Sequence, residues 1–333
     1  MKSRPANFAL VVLTLVMVSP GFISSAWAQT DEIKLDLAQP KITTVAALRA
    51  RRAPQVAAEE IMRLKLGTVV SAIARSTNQD TIGGKSDYWC RVNLPNGETG
   101  WLFGGLLLDY DVRQRAQLLR QIIEGRLKAE RTEFADRQQI YDLAANSIAE
   151  AKDANTRAEF ELLKLLALAN WAESLPNNLK DKSPYREWHR AHDPETIENE
   201  FGGGYNLRTE LLWNLETKYH AFPIADRIAW EAANNPQPSD CESDEVCDFF
   251  LTEGDIKYLS LHPAGAHAAE AVKELNAALT EDVISTANGK GGDKYAVQQR
   301  TALKKSLAYL RLALAKTSAP EKAELERKLG RVS

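Results

Sequence analysis

The first third of the chain alternates short apolar, β-branched runs with turn residues. The strand-like runs are Thr43–Arg51, Ile61–Leu66, Thr68–Ala74, Asp87–Leu94 and Glu98–Phe103. A Gly-Gly pair at 83–84 and a Pro-Asn-Gly turn at 95–97 interrupt them, and glycine allows the positive φ that such turns require. Several short strands at close spacing predict a small sandwich or barrel. We predict no strand after Phe103.

The pattern changes at Val112, where apolar residues begin to recur three or four positions apart. Residues 160–171 are apolar on most sides, which predicts a buried central helix. Further helical patterns cover 116–127, 140–148, 207–215, 224–232, 256–259, 268–279 and 295–314. The sequence therefore predicts a multidomain protein of mixed α and β class. A barrel at 38–110 is followed by an all-α domain of stacked helical hairpins at 112–331.

Four segments of the first domain resemble the bacterial SH3 family. Val45–Pro54 and Leu64–Val70 are similar to its opening, and Tyr88–Val92 and Asn96–Gly104 to its closing hairpin. The resemblance implies an SH3-like barrel of five or six strands. It also implies an exported protein that binds peptidoglycan peptides or other polypeptides. The family has no single ligand site, so the resemblance assigns no residue a role.

Candidate binding residues come from the pattern of the closing hairpin. Strict alternation places Trp89 and Arg91 on one face and Cys90 and Val92 on the other. Small barrels often present exposed aromatic side chains as a shallow groove. The candidates for such a groove are Tyr88, Trp89 and Trp101, with Arg49, Arg51 and Asp87 near them. The alternative is that both tryptophans are core residues or lie beneath the helical domain.

A second, shorter resemblance lies in the helical part. Tyr258–Ala271 is similar to the junction between two helices of a tetratricopeptide-type repeat. We find no clear second copy at a spacing of ~34 residues. The resemblance thus favours stacked helical hairpins rather than a regular repeat array.

The N-terminal 28 residues have the features of a secretory signal peptide. Lys2 and Arg4 precede an apolar run from Phe8 to Val18, and the Ala-Trp-Ala sequence at 26–28 forms a small-x-small cleavage site. The apolar run is shorter than the ~20 residues of a spanning helix, and no later stretch is apolar enough to cross a bilayer. We therefore predict an exported protein, periplasmic or secreted, without an integral membrane segment after cleavage.

Charge narrows the range of partners. The formal net charge is −3, and removal of Lys2 and Arg4 would make it −5. A mildly acidic chain with no long basic run argues against nucleic acid as a partner. The expected partners are peptidoglycan or an envelope protein.

The chain has three cysteines. Cys241 and Cys247 lie close together, and in an oxidising compartment such neighbours are candidates for a disulfide. Cys90 falls in a strand-like run, where we interpret it as a structural thiol rather than a nucleophile.

No motif requires catalysis, a metal or a cofactor. His189 and His192 could share a helix face, but Pro184 and Pro194 bracket the segment and the zinc-hydrolase spacing is absent. There is no Gly-x-Ser-x-Gly nucleophile elbow. We predict no bound metal and no cofactor.

Three hypotheses of function remain. The first is a cell-envelope binding or scaffold protein, not an enzyme, whose barrel holds peptidoglycan peptides or a polypeptide partner. The second is a cell-wall hydrolase with an unrecognised site in the helical domain. The third is an accessory subunit of such an enzyme. A deep pocket with convergent titratable side chains in the helical domain would favour an enzyme.

Overall fold

The computed structural model describes residues 32–129, 133–175, 177–199, 204–235 and 245–333. The predicted signal peptide lies outside the described residues. Among the described residues, no helix is long and apolar enough to cross a membrane.

The N-terminal region is one seven-stranded antiparallel sheet, here called the sheet domain. Its strands are β1 (Glu32–Thr43), β2 (Leu48–Arg51), β3 (Glu60–Leu64), β4 (Val69–Ile82), β5 (Lys85–Asn93), β6 (Thr99–Phe103) and β7 (Leu107–Asp109). They pair in the order β3-β2-β6-β5-β4-β1-β7. The predicted runs at 61–66, 68–74, 87–94 and 98–103 each correspond to a strand, but the run at 43–51 is interrupted by a bend at 44–47, and the five- or six-stranded count is too low. The ladder leaves β3 and β7 as end strands, so a closed barrel is not what the pairing shows.

The sequence pattern did not predict two features of this sheet. β1 begins at Glu32, ahead of the predicted start at 38, and pairs along β4 with an irregularity between Lys34 and Gln39. The β4–β5 hairpin is closed by the glycine pair at 83–84, with φ of 58° and 78°. Two consecutive positive φ angles suit a two-residue hairpin turn, and glycine adopts them without strain. The Gly-Gly pair therefore forms the turn between β4 and β5.

The rest of the described chain is mainly helical and is here called the helical domain. Its helices are α1 (Arg115–Leu127), α2 (Phe134–Glu150), α3 (Ala154–Ala172), α4 (Tyr185–His192), α5 (Thr209–Tyr219), α6 (Ile224–Ala233), α7 (Glu245–Leu251), α8 (Glu253–Leu261), α9 (Ala268–Ala278), α10 (Glu281–Asn288), α11 (Lys294–Leu314) and α12 (Lys322–Leu329). The prediction of no strand after Phe103 is wrong, and so is the prediction of a purely α domain. β7 completes the first sheet, and β8 (Thr196–Glu198) pairs with β9 (Tyr205–Leu207). Three-residue strands are too short to produce a periodic pattern.

One hydrophobic cluster joins the two domains. Ile42 and Leu66 of the sheet domain pack in the same cluster as Ile140, Phe160 and Leu163 of α2 and α3. The backbone N–H of Leu66 also donates to Oε1 of Gln139 at 2.9 Å. Helices α2 and α3 therefore cover this side of the sheet domain.

The predicted repeat-like junction is a hydrogen-bonded turn between α8 and α9. Tyr258 is fully buried, and its hydroxyl donates to Oδ1 of Asp226 at 2.6 Å. The backbone N–H groups of Ala266 and His267 donate to Asp226 Oδ2 and to the Tyr258 hydroxyl, both at 3.0 Å. This network ties α6, α8 and α9 together. A tetratricopeptide relationship stays a prediction.

Candidate binding site

The closing hairpin, β5 and β6, has two chemically different faces. On one face Val92 and Leu102 join the main sheet core with Leu48, Ala50 and Val70. On the other face Trp89, Trp101 and Phe103 form an aromatic cluster, with the half-buried Ile82 and Leu106 packed against it. The predicted separation of Trp89 from Cys90 and Val92 by strand alternation is confirmed.

Trp89 is fixed by three contacts. Its indole Nε1–H donates to Asp80 Oδ2 at 2.7 Å, and its backbone N–H donates to Ser76 Oγ at 3.0 Å. Its ring meets Phe103 edge-to-face, with centroids 5.8 Å apart. Such a side chain has little rotational freedom left to lose when a ligand packs against it.

Of the two alternatives for the tryptophans, the exposed pair is wrong, and the alternative that both are core residues is correct. Trp89 is 3% exposed and Trp101 is 4% exposed. Their neighbours in the aromatic cluster all belong to the sheet domain, so the helical domain is not what buries them. The physical reason is that Ile82 and Leu106 close over this face of the hairpin, and alternation alone cannot predict that closure.

A groove of about 250 Å³ opens beside Trp89. Its apolar lining includes Leu48, Val56, Ile82, Phe103 and Leu106, and the 45–47 bend forms another part of its wall. Ala47 in that bend has a φ of 50°, a region that side-chain-bearing residues rarely adopt. A preformed concave apolar surface of this size suits one apolar side chain or a short peptide segment.

Arg49 and Arg51 also line this groove. They alternate along β2 with the buried Leu48 and Ala50, of which Leu48 also lines the groove. Arg49 Nε lies 3.5 Å from Glu60 Oε2, and Arg51 donates to the carbonyl of Ala58 at 2.7 Å. The structure therefore brings Trp89, Arg49 and Arg51 together around one groove.

Tyr88, Asp87 and Trp101 are not among the residues that line the groove. The Arg75 guanidinium lies 4.2 Å from the centre of the Tyr88 ring, and Asp87 Oδ1 accepts the Tyr88 backbone N–H at 2.7 Å. A binding role for these three residues stays a prediction. Val56 and Leu106 line the groove but were not among the candidates, because neither stands out in a sequence pattern.

Cys90 is a free, half-buried thiol. Burial raises the pKa of the Cys90 thiol. A nucleophilic cysteine needs a lowered pKa, so the environment suits a structural thiol. Cys241 lies outside the described residues, and its predicted disulfide with Cys247 stays a prediction.

His189 and His192 lie in α4, inside an aromatic cluster rather than on a ligand-binding face. His192 Nδ1 is 2.8 Å from Glu195 Oε2, and its ring centre is 4.9 Å from that of Trp188. His189 packs on Tyr205, with ring centres 4.7 Å apart. In the described part of the chain, no group of three or more His, Cys, Asp or Glu side chains is placed to hold a metal ion.

Part of the sheet domain matches a known protein family. Residues 46–107 match the family model of the bacterial SH3 domain, so this segment is a bacterial SH3 domain, as its sequence resemblance predicted. The match contains β2 to β6 and all of the groove lining except Val45, and it leaves out β1. No curated protein and no solved structure matches the chain.

Proposed function

We propose that this chain is an exported binding or scaffold protein of the bacterial envelope. In this proposal the groove beside Trp89 holds an apolar side chain of a peptidoglycan peptide or of a polypeptide partner. Bacterial SH3 domains often bind peptidoglycan or proteins and often occur in extracellular or envelope proteins, which supports the proposal. The helical domain serves as the scaffold on which the SH3 domain is mounted.

The observation that carries the proposal is the construction of the groove. Its floor is a tryptophan already held by Asp80 and Phe103, and its edge carries two arginines. An apolar ligand group gains burial there, and the arginines are placed to meet a carboxylate beside it. Peptides of the cell wall and C-termini of polypeptides both combine apolar side chains with carboxylates.

The test places a charge in the groove without touching its buried floor. Val56 lines the groove and is 55% exposed, so Val56→Lys should leave the fold intact. We expect sedimentation with purified sacculi, or capture of an envelope partner after crosslinking, to weaken about ten-fold, which corresponds to ~1.4 kcal/mol.

The matched control is Leu37→Lys, a similar change at an exposed position of β1 outside the groove. It should bind like the unmodified chain. Equal binding by all three proteins, or equal loss in both variants, would remove the groove from the proposal. Capture of a partner without sacculus binding would identify a polypeptide as the ligand.

A further inference from the structure

The helical domain has a groove of its own between α8 and α11, with a volume of about 520 Å³. Its main lining residues are Ile256, Lys257 and Leu261 of α8 and Ala302, Lys305 and Tyr309 of α11. Both helices are held from behind by the C-terminal hydrophobic core, to which Leu259 and Leu307 belong. The groove is therefore a rigid surface feature of the fold, and it is separate from the SH3 groove.

Large apolar side chains are exposed along this groove. Leu261 is 46% exposed and Tyr309 is 53% exposed. Leu312, about one helical turn beyond Tyr309 on the same face of α11, is 64% exposed. The opposite face of α11 is buried through Leu303, Leu307 and Leu310. Large apolar side chains exposed close together on one face are typical of an interaction surface.

The charged groups that line the groove are two lysines and one glutamate. The Lys257 amino group lies 4.0 Å from the centre of the Trp213 ring, and the Lys305 amino group lies 5.9 Å from that of Tyr309. Within the described part of the chain, neither lysine lies in an ion pair. Glu253 also lines the groove, but its carboxylate already accepts a hydrogen bond from the Ser306 hydroxyl. Since a neutral hydroxyl does not cancel the carboxylate charge, the two lysines and Glu253 give the groove lining a net charge of +1.

We propose that the α8–α11 groove docks an acidic amphipathic helix of a partner protein. An amphipathic helix places apolar side chains at i, i+3, i+4 and i+7 into such a groove, and carboxylates beside its apolar face would meet Lys257 and Lys305. The strip from Ala302 to Leu312 is about 15 Å long, which corresponds to about three turns of a docked helix.

A second copy of this chain is a poor occupant. Symmetric self-docking would bring together two copies of this surface, each with the same net positive charge from Lys257, Lys305 and Glu253. Like charges in a desolvated interface disfavour association. The charge pattern therefore selects an acidic partner over self-association.

The test uses the full chain and a synthetic 14-residue helical peptide with leucines at i, i+3, i+7 and i+10 and glutamates flanking them. Fluorescence anisotropy of the labelled peptide gives its Kd. We expect Lys257→Glu and Lys305→Glu each to weaken binding about ten-fold. A peptide with lysines in place of the glutamates should bind the double variant in preference to the unmodified chain.

Lys294→Glu is the matched control, since Lys294 is exposed on the same helix about 16 Å from Lys305 along the axis. It should leave the Kd within two-fold. Equal loss in the control, equal binding of both peptides, or stronger binding to phosphatidylglycerol vesicles than to the acidic peptide would overturn the proposal. So would a concentration-dependent dimer that Tyr309→Glu dissociates while circular dichroism shows an unchanged fold.

Discussion

The two domains differ in whether their buried indole N–H groups have hydrogen-bond partners. In the sheet domain, the indole N–H of Trp89 is buried and donates to Asp80. In the helical domain, the indole N–H groups of Trp171 and Trp188 are buried without a hydrogen-bond partner among the described residues. The two rings lie 5.3 Å apart, nearly edge-to-face, a geometry in which an N–H can point at a π face.

The helical domain also buries a carboxyl group beside other carboxylates. Burial, together with the charges of Glu274 and Glu270 and a hydrogen bond with Glu274, raises the pKa of Asp255 to about 7. Hydrogen bonding of every buried polar group is the general pattern in proteins, and exceptions cost stability. The sheet domain follows that pattern around the proposed binding groove, whereas the helical domain tolerates exceptions in its interior.

The buried Asp255 carboxyl should make the free energy of unfolding depend on pH. The folded-state pKa of Asp255 is above its ordinary value of 3.8, so its contribution to stability is complete below pH 4 and is lost as the pH rises through about 7. Asp255→Asn should therefore stabilise the protein by about 2–4 kcal/mol at pH 8.5 and have little effect at pH 4.

Urea denaturation at the two pH values measures this difference. Asp282→Asn, on the exposed first turn of α10, serves as the control and should show no such pH dependence. An equal change in the free energy of unfolding at both pH values for Asp255→Asn would contradict a carboxyl that titrates near neutrality.

A second pair of variants tests whether the domains are independent. A Cβ on Gly100 would lie 2.9 Å from Leu94 and 3.2 Å from Ile61, inside the sheet core. A Cβ on Gly67 would lie 2.7 Å from Leu143 of α2, and Gly67 has a φ of 76° that alanine adopts only with strain. Gly100→Val should cost about 1–3 kcal/mol, and Gly67→Ala about 1–2 kcal/mol.

The two substitutions should differ in where they act. Hydrogen exchange measured by mass spectrometry should rise within 48–103 for Gly100→Val, with the helical domain still folded. For Gly67→Ala it should rise on both sides of the interface, in the sheet domain and in α2. Simultaneous loss of protection throughout the chain in Gly100→Val would show that the two domains unfold as one unit.

The contribution of the Trp89–Asp80 hydrogen bond can be measured with two matched variants. Trp89→Phe and Trp188→Phe remove similar volumes from sites of similar burial, but only the first breaks a hydrogen bond and leaves Asp80 without its donor. We expect Trp89→Phe to destabilise the protein by about 1–2 kcal/mol more than Trp188→Phe. Equal midpoints of chemical denaturation would show that the Trp89–Asp80 bond contributes nothing net.

Much of this architecture follows from local sequence. The run at 68–74 alternates because one face of β4 packs into the sheet core, whereas β6 is buried on both faces, in the sheet core and in the aromatic cluster. β1 lacked such a signal, since most of its residues are exposed and its position is set by pairing with β4. α4 was uncertain between its two prolines, and only packing against Trp171 and Tyr205 explains its place.

The candidate site was predictable only in part. Alternation correctly put Trp89 on the face opposite Val92, and Arg49 and Arg51, which were candidates near the tryptophans, line the same groove as Trp89. Burial of that face depends on Ile82 and Leu106, which are distant in sequence from each other. The α8–α11 groove depends on two helices more than thirty residues apart, so no local pattern could reveal it.

The hydrophobic cluster shared by the two domains is completed late during synthesis of the chain. A chain is made from its N-terminus, at ~5–20 residues per second. Leu66 is finished nearly one hundred residues before its packing partner Leu163. The matched segment ends at residue 107, 56 residues before Leu163, so for roughly 3–11 seconds the finished SH3 segment exists with an uncovered apolar surface around Ile42 and Leu66. A newly made chain that stalls before α3 is a natural client for a chaperone, even though its family-defined domain is already complete.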